Sequence, residues 1–323
     1  QLILTAGKRK KMIALERIGV DKAAVYFEEL LRNLKTEFRS SMAELQYIQG
    51  LESAFKEQLT SIVKLSSAYK NQLQSGNISK GEYVRLKALE LELVGELNSL
   101  KNDKNEVQQE LKALMRLNPL TTLEITDKEA IKLDYSTLTA ASLIDKAKEN
   151  RQDLRISVLE KDYYSKLHAY ERSQRVPDIS LKAMYDRNGS TMLDFVGFGL
   201  SMDLPLFNRN QGNIKFAETG MEIAKLENEY LQLSIENEVV AAYQNLLIAN
   251  DFKNSIDADY EQTLDELLKH YTTNFQSRNI SMIEFIDFLE AYLDNKKIIL
   301  EAEKNSTQKL EELNNVVGTE VMQ

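Results

Sequence analysis

The sequence predicts a mainly α-helical protein with a small β part, in which long coiled-coil helical hairpins are joined to short β-strands. Only 12 Gly and 3 Pro interrupt 323 residues, so long elements are expected. Apolar residues recur at coiled-coil spacing over a long stretch, and one short region changes to strict alternation, the pattern of a strand. A hydrophobic content of 43% is enough for a sizeable core.

Composition excludes several classes of function. The net charge is -9, from 41 Lys and Arg against 50 Asp and Glu, so we expect no nucleic-acid partner. The chain has no Cys, and its two His, His168 and His270, lie far apart in helical stretches, so we assign them no chemistry. We find no phosphate-binding loop, nucleophile motif or metal-ligand spacing, and therefore predict no enzyme and no cofactor.

Residues 1–7 are predicted to be the end of a β-strand, because Gln1 to Thr5 are largely apolar and lead into a helical pattern. Gln1 is not an initiator and no signal-peptide pattern follows it, so we expect a mature or truncated chain. The sequence has no apolar run of the length that a transmembrane helix requires.

Residues 8–118 are predicted to form a first long helical hairpin. Apolar residues recur about every 3.5 positions, the spacing of a coiled-coil seam, at 27, 31, 34, 38, 42, 45, 48, 51, 55, 59, 62, 65, 69 and 73. Gly76-Asn77 supplies a turn, and Ser79 with Glu82 has the spacing of a capping box. The return helix carries leucines at 86, 89, 93, 97 and 100 and ends near Asn118-Pro119.

Residues 119–139 form a connector enriched in Thr and Asp, and residues 140–176 are predicted to be one helix that ends at Val176-Pro177. Residues 177–209 then alternate between apolar and polar or small side chains in two runs, separated by a turn at Asn188-Gly189-Ser190. Each run is close to the length of a tilted transmembrane strand. Aromatic residues lie near the strand ends, at Tyr185, Phe195 and Phe207.

An amphipathic hairpin on a soluble core would show the same alternation. The long coiled-coil helices leave no globular core for such a hairpin to cover, which favours a membrane hairpin. Because a single hairpin cannot close a barrel, several chains must contribute strands.

The chain contains an internal repeat with an offset of 202 residues. Residues 74–79 and 276–281 match at five of six positions, with Gly76 replaced by Arg278. Residues 210–317 are therefore predicted to be a second hairpin. Its long helix should run from about Gly212 to Phe275, turn at residues 277–279 and return from Ser281, followed by a tail over residues 318–323.

Two segments carry a resemblance to a known family. Residues 176–181 read VPDISL, and residues 196–214 read VGFGLSMDLPLFNRNQGNI. Together with NRQDL at residues 150–154, where Gln152 replaces the family's proline, they resemble the outer-membrane efflux protein (TolC) family. The CzcC-like heavy-metal efflux branch is the most similar. The resemblance covers essentially the whole chain, and we expect the family's first helix and first strand to precede Gln1.

The resemblance implies a homotrimer in the outer membrane of a Gram-negative bacterium. Each chain would give four strands to a shared β-barrel and its long helices to a periplasmic α-barrel. The expected partners are a periplasmic adaptor (membrane fusion) protein, an inner-membrane pump of the resistance-nodulation-division (RND) type and outer-membrane lipid. Such a duct passes heavy-metal cations or drugs. A type I protein-secretion duct and a coiled-coil scaffold outside the membrane are the alternatives, and the strand hairpin counts against the scaffold.

The family's functional positions fall at the two turns. Adaptor docking would fall on Gly76, Asn77, Ser79, Arg278, Asn279 and Ser281. The acidic rings of the channel aperture would fall on Glu284 and Asp287, three residues apart on one helix face. Glu82 and Arg278 are weaker candidates for gating contacts. Plain turn and capping roles, or a solvated helix face, explain the same residue types.

Overall fold

A computed structural model describes residues 1–126, 138–188 and 192–322 of the chain. The helices are α1 (Lys8–Gln74), α2 (Lys80–Met115), α3 (Ala140–Asn150), α4 (Gln152–Ser173), α5 (Gln211–Asn254), α6 (Tyr260–Gln276) and α7 (Met282–Val317). The strands are β1 (Leu2–Ile3), β2 (Ile179–Asn188) and β3 (Leu193–Met202). The predicted class, mainly α-helical with a small β part, is confirmed.

The chain divides into two compact units. Unit 1 comprises residues 1–32 and 144–238, and unit 2 comprises residues 33–143 and 239–323. Helices α1, α3 and α5 contribute residues to both units. Each unit is described here by itself.

Helix α1 runs without a break from Lys8 to Gln74, as the seam of apolar residues predicts. In unit 2, residues of this seam pack with the leucines of α2 and with α6 and α7. Ile62, Leu86 and Leu289 are almost completely buried there. Burial of this seam, rather than helix propensity alone, stabilises such a long element.

The single helix predicted over residues 140–176 is wrong, because it is divided into α3 and α4 at Arg151. Arg151 has an extended backbone, with φ -68° and ψ 123°. Its guanidinium donates to both carboxylate oxygens of Asp153 and to Glu238 of α5. These paired hydrogen bonds of the guanidinium hold Arg151 in the extended conformation that separates α3 from α4. They do so although Gln152 occupies the position where the family has a proline.

The single helix predicted from Gly212 to Phe275 is also interrupted, between α5 and α6. The Ser255 hydroxyl donates to the carbonyl of Phe252, and the backbone N–H of Tyr260 donates to the carbonyl of Asp257. The Ser255 side chain thus competes with the helical backbone, and the bond from Tyr260 closes a backbone turn after it. Ile256, between them, packs against the hydrophobic core of unit 2.

The three strands form one antiparallel sheet in the order β1-β2-β3. β1 pairs with β2 through Leu2 and Ile3, in agreement with the predicted strand end at residues 1–7. β2 and β3 pair along their length, from Ile179 opposite Met202 to Asn188 opposite Leu193. The predicted turn residues Gly189 and Ser190 lie outside the described residues.

Residues 119–126 of the predicted connector form no helix or strand in the structure. The side chain of Gln108 donates to the carbonyl of Leu123, and the backbone N–H of Ile125 donates to Gln49. Residues 127–137 of the predicted connector lie outside the described residues. Among the described residues, no helix combines the length and apolar character needed to cross a membrane.

Candidate functional site

The first hairpin tip, residues 75–79, is built from two backbone motifs. Gly76 has φ +72°, the left-handed conformation that glycine adopts without strain. The N–H groups of Gly76 and Asn77 donate to the carbonyls of Leu73 and Gln72, which is a Schellman motif. The predicted capping box is present, since Ser79 and Glu82 exchange side chain-to-backbone hydrogen bonds of 2.8 and 3.2 Å.

The second tip, residues 277–281, repeats the first with one difference. The N–H groups of Arg278 and Asn279 donate to Phe275 and Asn274, and Ser281 forms a capping box with Glu284. Arg278 has φ +59°, where the first tip has Gly76. A residue with a Cβ is strained in this conformation, so Arg278 occupies its position at an energetic cost.

The two tips contact each other within unit 2. An Nη atom of Arg278 donates to Oε1 of Gln72 over 3.1 Å. The ring of Tyr69, near the end of α1, stacks on Phe275 at the end of α6, with centroids 5.8 Å apart. Partial burial and the nearby Glu82 carboxylate raise the pKa of Tyr69 above its usual value. The tips therefore form one connected surface, here called the tip surface and defined as residues 72–82 and 276–284.

The two predicted aperture residues, Glu284 and Asp287, are exposed on the first turns of α7. The Glu284 carboxylate accepts a hydrogen bond of 2.7 Å from the backbone N–H of Ser281, which holds the pKa of this carboxyl below its usual value. Glu284 thus has a capping role in addition to any role in a pore. Met282 and Phe285, on the opposite face of the helix, are buried in the core.

Strands β2 and β3 present two chemically different faces. On one face, Ile179, Leu181, Ala183 and Tyr185 lie opposite Met202, Leu200, Phe198 and Val196. On the other face, Ser180, Lys182 and Met184 lie opposite Ser201, Gly199 and Gly197.

The apolar face is open in the single chain, where Phe198 is 85% and Leu200 71% exposed. Phe195, one of the aromatic residues predicted near the strand ends, lies on the face opposite that of Tyr185. Its ring packs over Gly197, where a Cβ would lie 2.7 Å from Cε1 of Phe195. Successive side chains of a strand point to opposite faces. Phe195 directly precedes Val196, which lies on the apolar face, so Phe195 lies on the other face.

Sequence reasoning missed a charged cluster between α6 and α7. Lys296 is 7% exposed and forms ion pairs with Glu261 and Asp265 at 2.8 and 2.9 Å. Burial alone lowers the pKa of Lys296, but the hydrogen bonds to these two carboxylates raise it above its usual value. The Tyr292 hydroxyl donates to Asp265, and burial and this carboxylate raise the pKa of the tyrosine.

The signal for this cluster was present in the sequence, as the alignment of Glu261 and Asp265 on one face of α6. The partner on α7 is 31 residues away from Asp265, so the pair could not be assigned without the fold. In the described part of the chain, no group of three or more His, Cys, Asp or Glu side chains is placed to hold a metal ion.

Two helical hairpins with matching tips, joined to a strand pair with one apolar face, define the class of outer-membrane channel subunits with long helical hairpins. Comparison with known families agrees with this class. Residues 143–319, more than half of the chain, match the family of outer membrane efflux proteins. The chain belongs to this family, and the resemblance inferred from the sequence is confirmed.

Individual relatives are distant. The cobalt-zinc-cadmium resistance protein CzcC of Cupriavidus metallidurans is 23% identical over 150 residues, which are 46% of this chain and 35% of that protein. The chain thus matches about a third of the length of this relative.

Solved structures share the fold. The CmeC outer membrane channel of Campylobacter jejuni superposes with a TM-score of 0.80 at 14% identity, over 98% of this chain and 69% of that chain. The outer membrane protein VceC of Vibrio cholerae gives a TM-score of 0.71 at 16% identity, over 98% and 77% of the two chains. The TolC-like fold class is therefore confirmed.

Proposed function

We propose that the protein is the outer-membrane duct of a tripartite efflux system, a passive channel rather than an enzyme. Three copies would each contribute strands to one β-barrel and hairpins to a periplasmic tunnel. An inner-membrane pump of the RND type would drive transport through a periplasmic adaptor protein. Family membership and the fold shared with CmeC and VceC support this proposal.

The observation that carries the proposal is the two-faced strand pair. Its apolar face, from Ile179 to Tyr185 and from Val196 to Met202, suits the acyl chains of a bilayer. Its other face, with serines and glycines, suits an aqueous lumen. Unpaired strand edges are not tolerated in lipid, so the strands of several chains must close a barrel.

Divalent transition-metal cations are the first cargo to test, because the similar CzcC protein is named for cobalt, zinc and cadmium resistance. Deletion of the gene in its host should lower tolerance to these metals if the proposed cargo is correct. Unchanged tolerance to metals together with increased sensitivity to organic drugs would assign the duct to drug efflux instead.

The tip surface is the proposed docking site for the adaptor, through Gly76, Asn77, Ser79, Arg278, Asn279 and Ser281. Glu284 and Asp287 are proposed to line the aperture, where symmetry copies would concentrate negative charge and favour cations. Arg278, which joins the tips through Gln72, is a proposed closing contact. An adaptor that binds the open tips more tightly than the closed tips would shift the population towards the open state.

Single-channel current across a planar lipid bilayer tests the duct directly. The full-length protein is purified in detergent, and its mass is measured in parallel. Current steps from a trimeric species are the expected result. A water-soluble species that never inserts would overturn the proposal and favour a coiled-coil scaffold.

The aperture is tested by Glu284→Gln combined with Asp287→Asn in the same bilayer assay. Glutamine also forms capping boxes, so the first substitution removes charge while keeping the end of α7. We expect reduced preference for cations over anions. Unchanged selectivity and unchanged closure would contradict an aperture role for these residues.

A further inference from the structure

Unit 2 contains a groove that the proposed duct function does not use. Helix α1 forms its floor through Tyr47, Leu51 and Phe55, and helices α2 and α7 form its two walls. The volume of the groove is about 640 Å³. Because all three helices belong to one chain, the groove is complete without a second copy.

The floor of the groove is apolar and its rim is acidic. Leu51, Leu93 and Leu293 are buried at the base. Among the described residues, seven carboxylates and one lysine line the groove. They are Glu44, Glu92, Glu96, Asp103, Glu106, Glu290, Asp294 and Lys297.

Most of this negative charge is not neutralised by the chain itself. Glu44 is paired with Lys304 at 3.2 Å. In the described part of the chain, Glu92, Glu96 and Asp294 have no lysine or arginine within ion-pair distance. Carboxylates held close together on low-dielectric walls attract cations.

Tyr47 shows that the floor accepts a positive charge. The Nζ atom of Lys304 lies 4.1 Å from the centroid of the Tyr47 ring, a cation–π contact. Burial, with the carboxylates of Glu301 and Glu44 nearby, raises the pKa of Tyr47 to about 12. Burial is the largest cause of this rise, and the nearby carboxylates add to it.

We propose that this groove binds small amphipathic organic cations, with the apolar part on the floor and the charge at the carboxylate rim. Its volume lies within the range of about 300–1,000 Å³ that is usual for small-molecule sites. The volume therefore favours a small ligand.

The test uses two probes of equal size and opposite charge, tetraphenylphosphonium and tetraphenylborate. Their binding to the full-length protein in lipid nanodiscs is measured by equilibrium dialysis, with empty nanodiscs as background. We expect saturable binding of the phosphonium that weakens with added salt, and no saturable binding of the borate. Equal binding of both probes would overturn the proposal.

A triple variant, Glu92→Gln, Glu96→Gln and Asp294→Asn, should bind the phosphonium at least about tenfold more weakly. The matched control neutralises three exposed acids outside the groove, Glu57, Glu222 and Glu227, and should bind like the unmodified protein. If the triple variant and the control variant bind the phosphonium with equal affinity, the cation does not bind in this groove and the proposal is wrong.

A second competitor distinguishes the alternative occupant. This competitor is a cationic amphipathic peptide. If this peptide binds the unmodified protein but not the triple variant, and the phosphonium binds neither protein, the groove is a helix-docking site. That result would overturn the small-ligand proposal. Conductance of the triple variant in bilayers is measured separately. Failure of binding with normal conductance would thus leave the proposed duct function standing.

Discussion

At the residue scale, the equivalent positions Gly76 and Arg278 allow a direct test of backbone strain. Gly76→Arg should destabilise the first tip by about 1–2 kcal/mol, because it places a Cβ at φ +72°. Hydrogen exchange of the amides around Asn77 measures the change. Arg278→Gly is the matched variant, and its tip should exchange no faster than that of the unmodified protein.

The capping box of α7 should respond to acid. The hydrogen bond from Ser281 holds the pKa of Glu284 below its usual value of 4.5. A lowered folded-state pKa means that the stabilisation is present above about pH 4.5 and is lost as the pH falls through the folded-state value. The protection of the amides at the start of α7, measured as their exchange rate relative to the intrinsic rate at each pH, should therefore decrease on acidification.

Glu284→Gln is the control for this acid response. Glutamine keeps the capping geometry and does not titrate, so the protection of the amides at the start of α7, relative to the intrinsic exchange rate, should become insensitive to pH over this range. An acid response of equal size in the variant would mean that Glu284 is not the titrating group.

The tip residues were predictable from the sequence because turn chemistry is local. Gly76, Ser79 and Glu82 determine their own backbone geometry within a few positions, and the repeat carries the same prediction to Ser281. The left-handed conformation of Arg278 was not predictable from its type. It follows from the equivalence of the two tips, which only the repeat reveals.

At the element scale, Lys296 should hold α6 against α7. Lys296→Met leaves the half-exposed carboxylates of Glu261 and Asp265 without their cation, and should destabilise this pair of helices by about 1–2 kcal/mol. Hydrogen exchange along α6 measures the effect. Lys297→Met, on the exposed side of the same helix, is the control and should leave this exchange unchanged.

Arg151 should determine the junction between α3 and α4. Arg151→Lys removes the bidentate contact with Asp153. It should lower the free energy of unfolding, measured by thermal denaturation, by about 1–2 kcal/mol. Arg155→Lys, which affects a single exposed ion pair with Glu28, is the matched control. Equal losses of unfolding free energy in the two variants would show that the bidentate contact of Arg151 has no special role.

Both helix interruptions escaped prediction for one physical reason. Around residue 151 and over residues 255–259 the apolar spacing continues, and no Gly or Pro marks a break. Each interruption combines local hydrogen bonds with contacts to distant residues, such as Glu238 for Arg151 and the unit 2 core for Ile256. Apolar period and helix propensity describe a helix locally, whereas these breaks also depend on tertiary contacts.

At the scale of the whole molecule, the two faces of β3 should differ in their tolerance of charge. Leu200→Arg places a cation on the apolar face, at a cost that reaches about 2–4 kcal/mol per chain at the middle of a bilayer and decreases towards its surfaces. Ser201→Arg places the same charge on the other face, one residue along the strand.

We expect the Leu200 variant to lose insertion into membranes, measured by fractionation and by bilayer current. The Ser201 variant should insert normally and change only conductance. Equal insertion of both variants would contradict the proposed lipid contact of the apolar face.

The two hairpins of this chain allow equivalent positions to be compared within one molecule. Two copies of one ancestral segment have kept the same turn, the same cap and nearly the same aromatic neighbours, 202 residues apart. Where the copies differ at equivalent backbone geometry, the turn itself cannot be the reason for the difference. An arginine where the turn favours glycine is instead explained by what its side chain contacts, here Gln72 of the other tip, and equivalent positions within one chain become a guide to specialisation.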